Sequence, residues 1–251
     1  MLPDLSVYSE RGEPYPERPE AERVLRNSSL FEGINDSMIT KLIEGSHLAY
    51  AEHNVLLWAP NAPARFFTII LTGILRLTRR SSKGKEMTVE ILGPGSPADV
   101  ISNEAQPGCP LTAEAVTNLW YLKIPNSLWL EVLQEEPLLE RHLAQELSGR
   151  FLQALETTEL FLMDDEERRL AGILLLVVKL NSPELNATPQ VTLISRIQLA
   201  RLAGLPLETV QRIIAKWEVA RLITAGKGAI QVSDPLLLKR LAIQLRADSS
   251  L

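Results

Sequence analysis

Residues 199–223 read LARLAGLPLETVQRIIAKWEVARLI. Apolar residues recur at helical spacing up to Ala203, break at Gly204-Leu205-Pro206, and resume at once. A glycine just past a helix supplies left-handed backbone, and a proline at a helix start forfeits only an N–H that would lack a partner. The pattern predicts a short helix over 195–202 capped by Ser195, a tight turn, and a second helix over 207–221. At 3.6 residues per turn, Val210, Ile213, Ile214 and Trp217 share one arc, and Glu208, Gln211, Arg212 and Ala215 the opposite one. One face suits a core and the other suits solvent.

The solvent edge carries chemistry fitted to the major groove of DNA. Arg212 can donate two bonds to guanine O6 and N7, Glu208 can accept from cytosine N4, and Gln211 can pair with adenine or reach a phosphate. Arg196, Arg201, Thr209, Lys216 and Lys227 flank this edge as candidate phosphate contacts. A plain solvated helix would carry the same charges, with Glu208 and Arg212 forming an i,i+4 pair worth about 0.3–0.5 kcal/mol. The short first helix and the glycine turn favour the reading edge. So does the following ITAGKGAIQV (223–232), which reads as a β-hairpin wing with Lys227 between glycines.

Charge is divided along the chain in the same sense. The 251 residues carry a net −5, but residues 1–164 hold 14 basic and 23 acidic groups, whereas residues 165–251 hold 12 and 8. Over 190–246 the count is 9 basic to 3 acidic. A local basic surface suffices to hold phosphates, because distant acidic groups are screened within about 10 Å.

Upstream, residues 1–22 form an acidic, proline-rich arm with neither the basic nor the apolar region of a secretory signal. Residues 23–135 begin with short helical patterns. Val55 to Ile124 then follow as short, often β-branched stretches separated by turn chemistry, as in a small β-barrel or sandwich. Gly73 inside a strand pattern suggests a bend, and Ser82-Lys83-Gly84-Lys85 a hairpin turn. Residues 136–164 return to helical spacing, and Leu143, Leu147, Phe151, Ala154, Thr158 and Phe161 fall on one stripe. That stripe packs either on its own β domain or against an identical helix in a dimer seam, which the three-four stepping favours. Asp164 with Glu167 reads as a capping box opening the next helix, at the boundary of a domain over 165–251. Residues 234–246 form a further amphipathic helix.

At this point a resemblance becomes specific. The run 194–232, with Glu208, Thr209, Val210, Gln211 and Arg212 at the start of its second helix, is similar to the winged helix-turn-helix of the catabolite-activator and fumarate/nitrate-reduction regulator (Crp/Fnr) family. LTGILRLTRRSSKGKEMTVEILGPG (71–95) resembles that family's β-roll, and the 136–164 helix its dimer helix. The resemblance implies an α+β fold: an N-terminal cyclic-nucleotide-binding-like jelly roll, a long dimerisation helix and a C-terminal winged helix-turn-helix. It implies a homodimeric transcription regulator that binds an inverted repeat in double-stranded DNA, with RNA polymerase open as a further partner. Leu207 stands where cyclic-AMP-responsive relatives present another arginine, so the base-reading burden falls on Glu208, Gln211 and Arg212.

The effector region departs from the cyclic-AMP pattern. Asp99-Val100 stand where the resemblance calls for Gly-Glu, and Cys109-Pro110 where it calls for Arg-Ser. Ala154 and Leu155 stand near where a polar pair would meet the adenine. A cyclic phosphate would then lack a charge partner, so cyclic AMP is not expected to bind. The single cysteine excludes an iron–sulfur cluster held by this chain alone and points to a reducing, cytoplasmic setting. Nothing selects His47 or His53 as a haem ligand, no metal spacing occurs among the three histidines, and no cofactor is expected. No catalytic constellation is present, and no apolar run reaches the length of a membrane span. A second reading keeps the β-roll as a small-molecule or redox sensor acting on a protein partner, with weak DNA binding. Cys109 is its candidate thiol.

Overall fold

A computed structural model describes residues 19–63, 65–82, 84, 86–98, 108–162, 165–181 and 188–243. Most of the N-terminal arm, Asp99, Val100, Lys83, Lys85, Asp164 and the end of the 234–246 stretch lie outside them.

Helices α1 (Ala21–Arg26) and α2 (Asp36–Glu44), with the 3-10 turn Ser29–Phe31 between them, cover one side of the β domain. Asn35 opens α2 by accepting the Ser37 N–H at 3.0 Å. Among the described residues seven strands follow: β1 (His47–Ala51), β2 (Leu56–Trp58), β3 (Phe66–Thr72), β4 (Leu75–Arg80), β5 (Glu86–Leu92), β6 (Thr112–Ala115) and β7 (Leu119–Pro125). They form two antiparallel sheets, ordered β1-β7-β3 and β2-β6-β4-β5.

Period-two alternation explains the layering. In β3, Phe67, Ile69 and Leu71 face the helical layer with Leu25, Leu42 and Trp129, whereas Ile70 points into the roll with Leu75, Leu77 and Leu119. Trp129, on α3 (Asn126–Glu135), stacks on Phe67 with ring centroids 3.7 Å apart. Gly73, expected as a bend within one strand, instead joins β3 to β4. Its φ is +86°, and a Cβ there would fall 2.2 Å from the Asn118 carbonyl oxygen, so only glycine can turn the chain at this point.

The 26-residue helix α4 (Pro137–Leu162) crosses from the roll to the C-terminal domain. That domain contains α5 (Glu166–Asn181), β8 (Gln190–Thr192), α6 (Arg196–Ala203), α7 (Leu207–Val219), β9 (Ile223–Ala225), β10 (Ile230–Val232) and α8 (Pro235–Ile243). Strands β8, β10 and β9 form one antiparallel sheet. α8 packs on α5 and contributes Leu238 to the domain core. Apolar packing is continuous across the junction: Ile74, Ile91 and Val116 of the roll belong to the same buried cluster as Leu160, Leu174, Leu199 and Trp217.

The long helix divides the predicted seam residues. Leu143 packs on the core beneath the roll's helices and Phe161 on the C-terminal core, while Ala154 and Thr158 are half-buried. Leu147 and Phe151 face solvent, and the exposed apolar arc continues through Leu155 and Leu162 rather than through Ala154 and Phe161. The cause is rotational. The six named positions span an arc of about 80° straddling the edge of the buried face, with 143, 154 and 161 on its inner side and 147 and 151 on its outer side.

The junction into α5 also differs from the expected capping box. Asp165 is the cap, its Oδ1 accepting the N–H groups of Glu167 at 2.9 Å and Arg168 at 3.1 Å. Glu167 is thereby freed for another role.

Candidate nucleic-acid interface

The turn between α6 and α7 is built locally. Ser195 and Gln198 form a reciprocal capping box at the start of α6, with Ser195 Oγ accepting the Gln198 N–H at 3.3 Å and Gln198 Oε1 accepting the Ser195 N–H at 2.8 Å. Gly204 ends the helix in the left-handed region at φ +60°, and Pro206 precedes the first residue of α7. The turn is crowded from outside: a Cβ on Gly204 would lie 2.9 Å from the Phe161 ring at the end of α4.

On α7, Val210, Ile213, Ile214 and Trp217 are buried, and Glu208, Gln211, Arg212 and Ala215 are exposed. The helix ends at Val219 rather than Arg221, which adopts a left-handed φ of +56° in the loop to the wing. The three candidate base-reading residues thus share one open edge. Of the candidate phosphate contacts, Lys216 and Lys227 are exposed and Thr209 is half-buried. Lys227 lies at the tip of the β9–β10 hairpin, closed by the Gly226 N–H to Ala229 carbonyl bond at 2.8 Å.

Arg196 and Arg201 are engaged within the protein. Arg196 Nη2 donates to the Ala225 carbonyl at 3.3 Å and lies 3.6 Å from Glu218. Arg201 turns toward the roll, where its guanidinium binds Glu114 and Asn54.

Sequence reasoning missed the two acids that back the reading helix. Glu167 accepts from Trp217 Nε1 at 2.9 Å and from Lys216 Nζ at 2.6 Å, and Glu166 accepts from Arg212 Nη2 at 3.2 Å. The only local signal was the run of acids opening α5, which read as helix-start chemistry.

Of the candidate effector-region residues, Cys109 is buried in the roll core, Pro110 is half-buried, and Leu155 is solvent-exposed on the outer side of α4. The buried cation nearby is Arg150 of α4. Its Nε lies 2.7 Å from Glu90 and its Nη1 2.7 Å from the Pro97 carbonyl oxygen, while Nη2 is buried without a partner among the described residues. Burial pushes the neighbouring Glu146 carboxyl up, an effect Glu90 reinforces and Arg150 opposes. Among the described residues no group of three or more His, Cys, Asp or Glu side chains converges to hold a metal ion, and no helix is long and apolar enough to cross a membrane.

Comparison with known proteins matches both halves of the chain. Residues 49–136 match the cyclic nucleotide-binding domain, and residues 168–241 the Crp-like helix-turn-helix domain. The cyclic AMP receptor protein of Thermus thermophilus is 28% identical over 177 residues, covering 70% of this chain and 79% of that protein. The global nitrogen regulator of Synechococcus elongatus is 27% identical over 194 residues, covering 75% and 86% respectively. Among solved structures, FixK2 from Bradyrhizobium japonicum shares the fold with a TM-score of 0.64 at 20% identity, over 78% of this chain and 96% of that one.

Proposed function

The chain belongs to the Crp/Fnr family of transcription regulators, a family of DNA-binding proteins rather than enzymes, and we propose that it acts as a homodimer on an inverted-repeat site. The observation that carries the reading is the open edge of α7. Glu208, Gln211 and Arg212 stand in solvent on a helix whose opposite face is buried, at the end of a capped helix and tight turn. That arrangement lets the N-terminal half of α7 enter a major groove while α6 lies across the backbone.

Dimerisation through α4 is supported by the exposed arc of Leu147, Phe151, Leu155 and Leu162, whose burial against a second copy would remove a continuous apolar surface from water. In this reading Lys216 and Lys227 contact phosphates, and RNA polymerase is a partner of the DNA-bound dimer.

We infer further that cyclic AMP is not the effector. Support comes from Cys109 and Pro110, which offer no cation to a cyclic phosphate. The buried guanidinium nearby, Arg150, holds Glu90 with Nε and the Pro97 carbonyl with Nη1, which leaves only Nη2 for a further acceptor among the described residues. A phosphate entering there would have to displace or abut a buried carboxylate.

The reading is tested by selecting bound sites from random duplex DNA and by titrating cyclic AMP into the binding reaction. An inverted repeat bound with unchanged affinity at all cyclic AMP concentrations is expected. Selection of no preferred sequence, or a cyclic-AMP-dependent gain, overturns the corresponding part.

A further inference from the structure

We propose that a charge cluster of Arg76, Glu114 and Arg201 fixes the angle at which the DNA-binding domain stands on the β-roll, and so selects the spacing between the two half-sites; this rests on the homodimer reading above.

Arg76 on β4 and Glu114 on β6 are direct partners in the sheet register. Arg76 donates from Nε at 3.1 Å and from Nη2 at 2.7 Å to one oxygen of Glu114, and Nη2 also reaches Glu86 at 2.8 Å. The other Glu114 oxygen takes the guanidinium of Arg201 from α6. Arg76 Nη1 then donates to the main-chain carbonyl of Arg201 at 3.2 Å, one of the last carbonyls of α6, where a cation is favoured. One cross-strand pair therefore grips both the side chain and the backbone of a single residue in the positioning helix.

Two more anchors act on the same helix. Asn54, in the loop before β2, accepts from the Arg201 guanidinium. Gln198 donates from Nε2 to the Val116 carbonyl at 2.8 Å while its Oε1 caps its own helix. The anchors come from three separate segments of the roll. A single contact would act as a pivot, whereas three hold an orientation.

Electrostatics favour that orientation. With the domain in place the Glu114 side chain is only 11% exposed, and swinging the domain away would cost its carboxylate the charge-assisted bond to Arg201. The reading edge stays open when the cluster is closed, because Glu208, Gln211 and Arg212 are exposed in this arrangement. The cluster thus holds the domain with its reading edge presented. In a two-fold dimer joined along α4, the angle of each domain sets the distance between the two reading helices. That distance must match half-sites about 34–36 Å apart.

The test uses the full-length protein, the repeat it selects from random DNA, the same repeat with its spacer lengthened or shortened by one or two base pairs, and a single half-site. Wild type is expected to lose at least about tenfold in affinity when the spacer changes. Arg201→Gln is expected to lose about threefold or less on the same change, with half-site affinity within about twofold of wild type. Glu114→Gln should behave alike, and Asn54→Ala stands in for it should that roll variant fail to fold. Spacing discrimination equal to wild type in Arg201→Gln overturns the inference. So does a half-site loss as large as the full-site loss, which would make Arg201 a phosphate contact. Failure of the wild type to select any inverted repeat overturns the homodimer reading and this inference together, whereas a selected repeat with unchanged discrimination overturns the inference alone.

Discussion

The indole N–H of Trp217 donates to a carboxylate oxygen of Glu167 at 2.9 Å, joining the buried face of the reading helix to the first turn of α5. The other Glu167 oxygen takes Lys216 at 2.6 Å, so one acid holds a buried ring and a surface cation from the same helix. Glu167→Ala leaves the indole N–H of a buried tryptophan without its acceptor and is expected to destabilise the C-terminal domain by about 1–3 kcal/mol. Trp217→Phe in the Glu167→Ala background should add less than it does in wild type, because the partner is already gone. A double-mutant cycle by chemical denaturation measures this coupling.

Arg212 and Lys227 should fail in different ways on DNA. Arg212→Ala is expected to cost about 1–3 kcal/mol at the selected site and to relax preference at one base pair of each half-site. Lys227→Ala should weaken all duplexes alike and reduce the slope of log affinity against log salt by about one. Binding isotherms over a salt series on matched and scrambled duplexes separate the two behaviours.

Placing a charge on the open arc of α4 should break the dimer without unfolding the protomer. Phe151 is 64% exposed and Leu155 52% exposed, so neither supports the protomer's own core. Phe151→Asp with Leu155→Asp is expected to shift sedimentation from dimer to monomer mass, with the thermal melt of the roll retained. Affinity for the full repeat should fall toward that of a half-site.

Glu146 should make stability fall with rising pH over part of the range. Burial raises its carboxyl above the ordinary carboxylate value, so the folded protein holds that proton more tightly than the unfolded chain. Stability from this group is complete below the unfolded value and is lost as pH rises through the folded one. Glu146→Gln, which stays neutral, is expected to melt above wild type at neutral pH and level with it once both are below the carboxylate range. Melting curves across pH for the two proteins decide this.

The parts of the interface that were legible in the sequence are those written in local chemistry. Gly204 and Pro206 mark the turn because backbone conformation demands them, and Val210, Ile213, Ile214 and Trp217 mark the buried face because helical period does. The end of α7 was not legible, since the left-handed residue there is Arg221 instead of a glycine or asparagine. Neither was the fate of Arg201: a cation beside a reading helix looks like a phosphate contact until sheet register sets Glu114 next to Arg76. Asp165 and Asp164 were indistinguishable as caps because either begins a run of acids. On α4 the apolar stripe was real, but no pattern within one helix reveals which edge its own domains cover.

Phe161 fills the space beside Gly204 and sits on the same 26-residue rod that carries the open apolar arc. At 1.5 Å per residue that rod is about 39 Å long, and a continuous hydrogen-bonded helix resists torsion along its axis. A side chain on Gly204 would meet that ring, so the close approach of the rod's end to the turn that aims the reading helix depends on the glycine. A rotation of the shaft is therefore expected to reach the turn through this contact, and Gly204→Ala to alter how it is felt there.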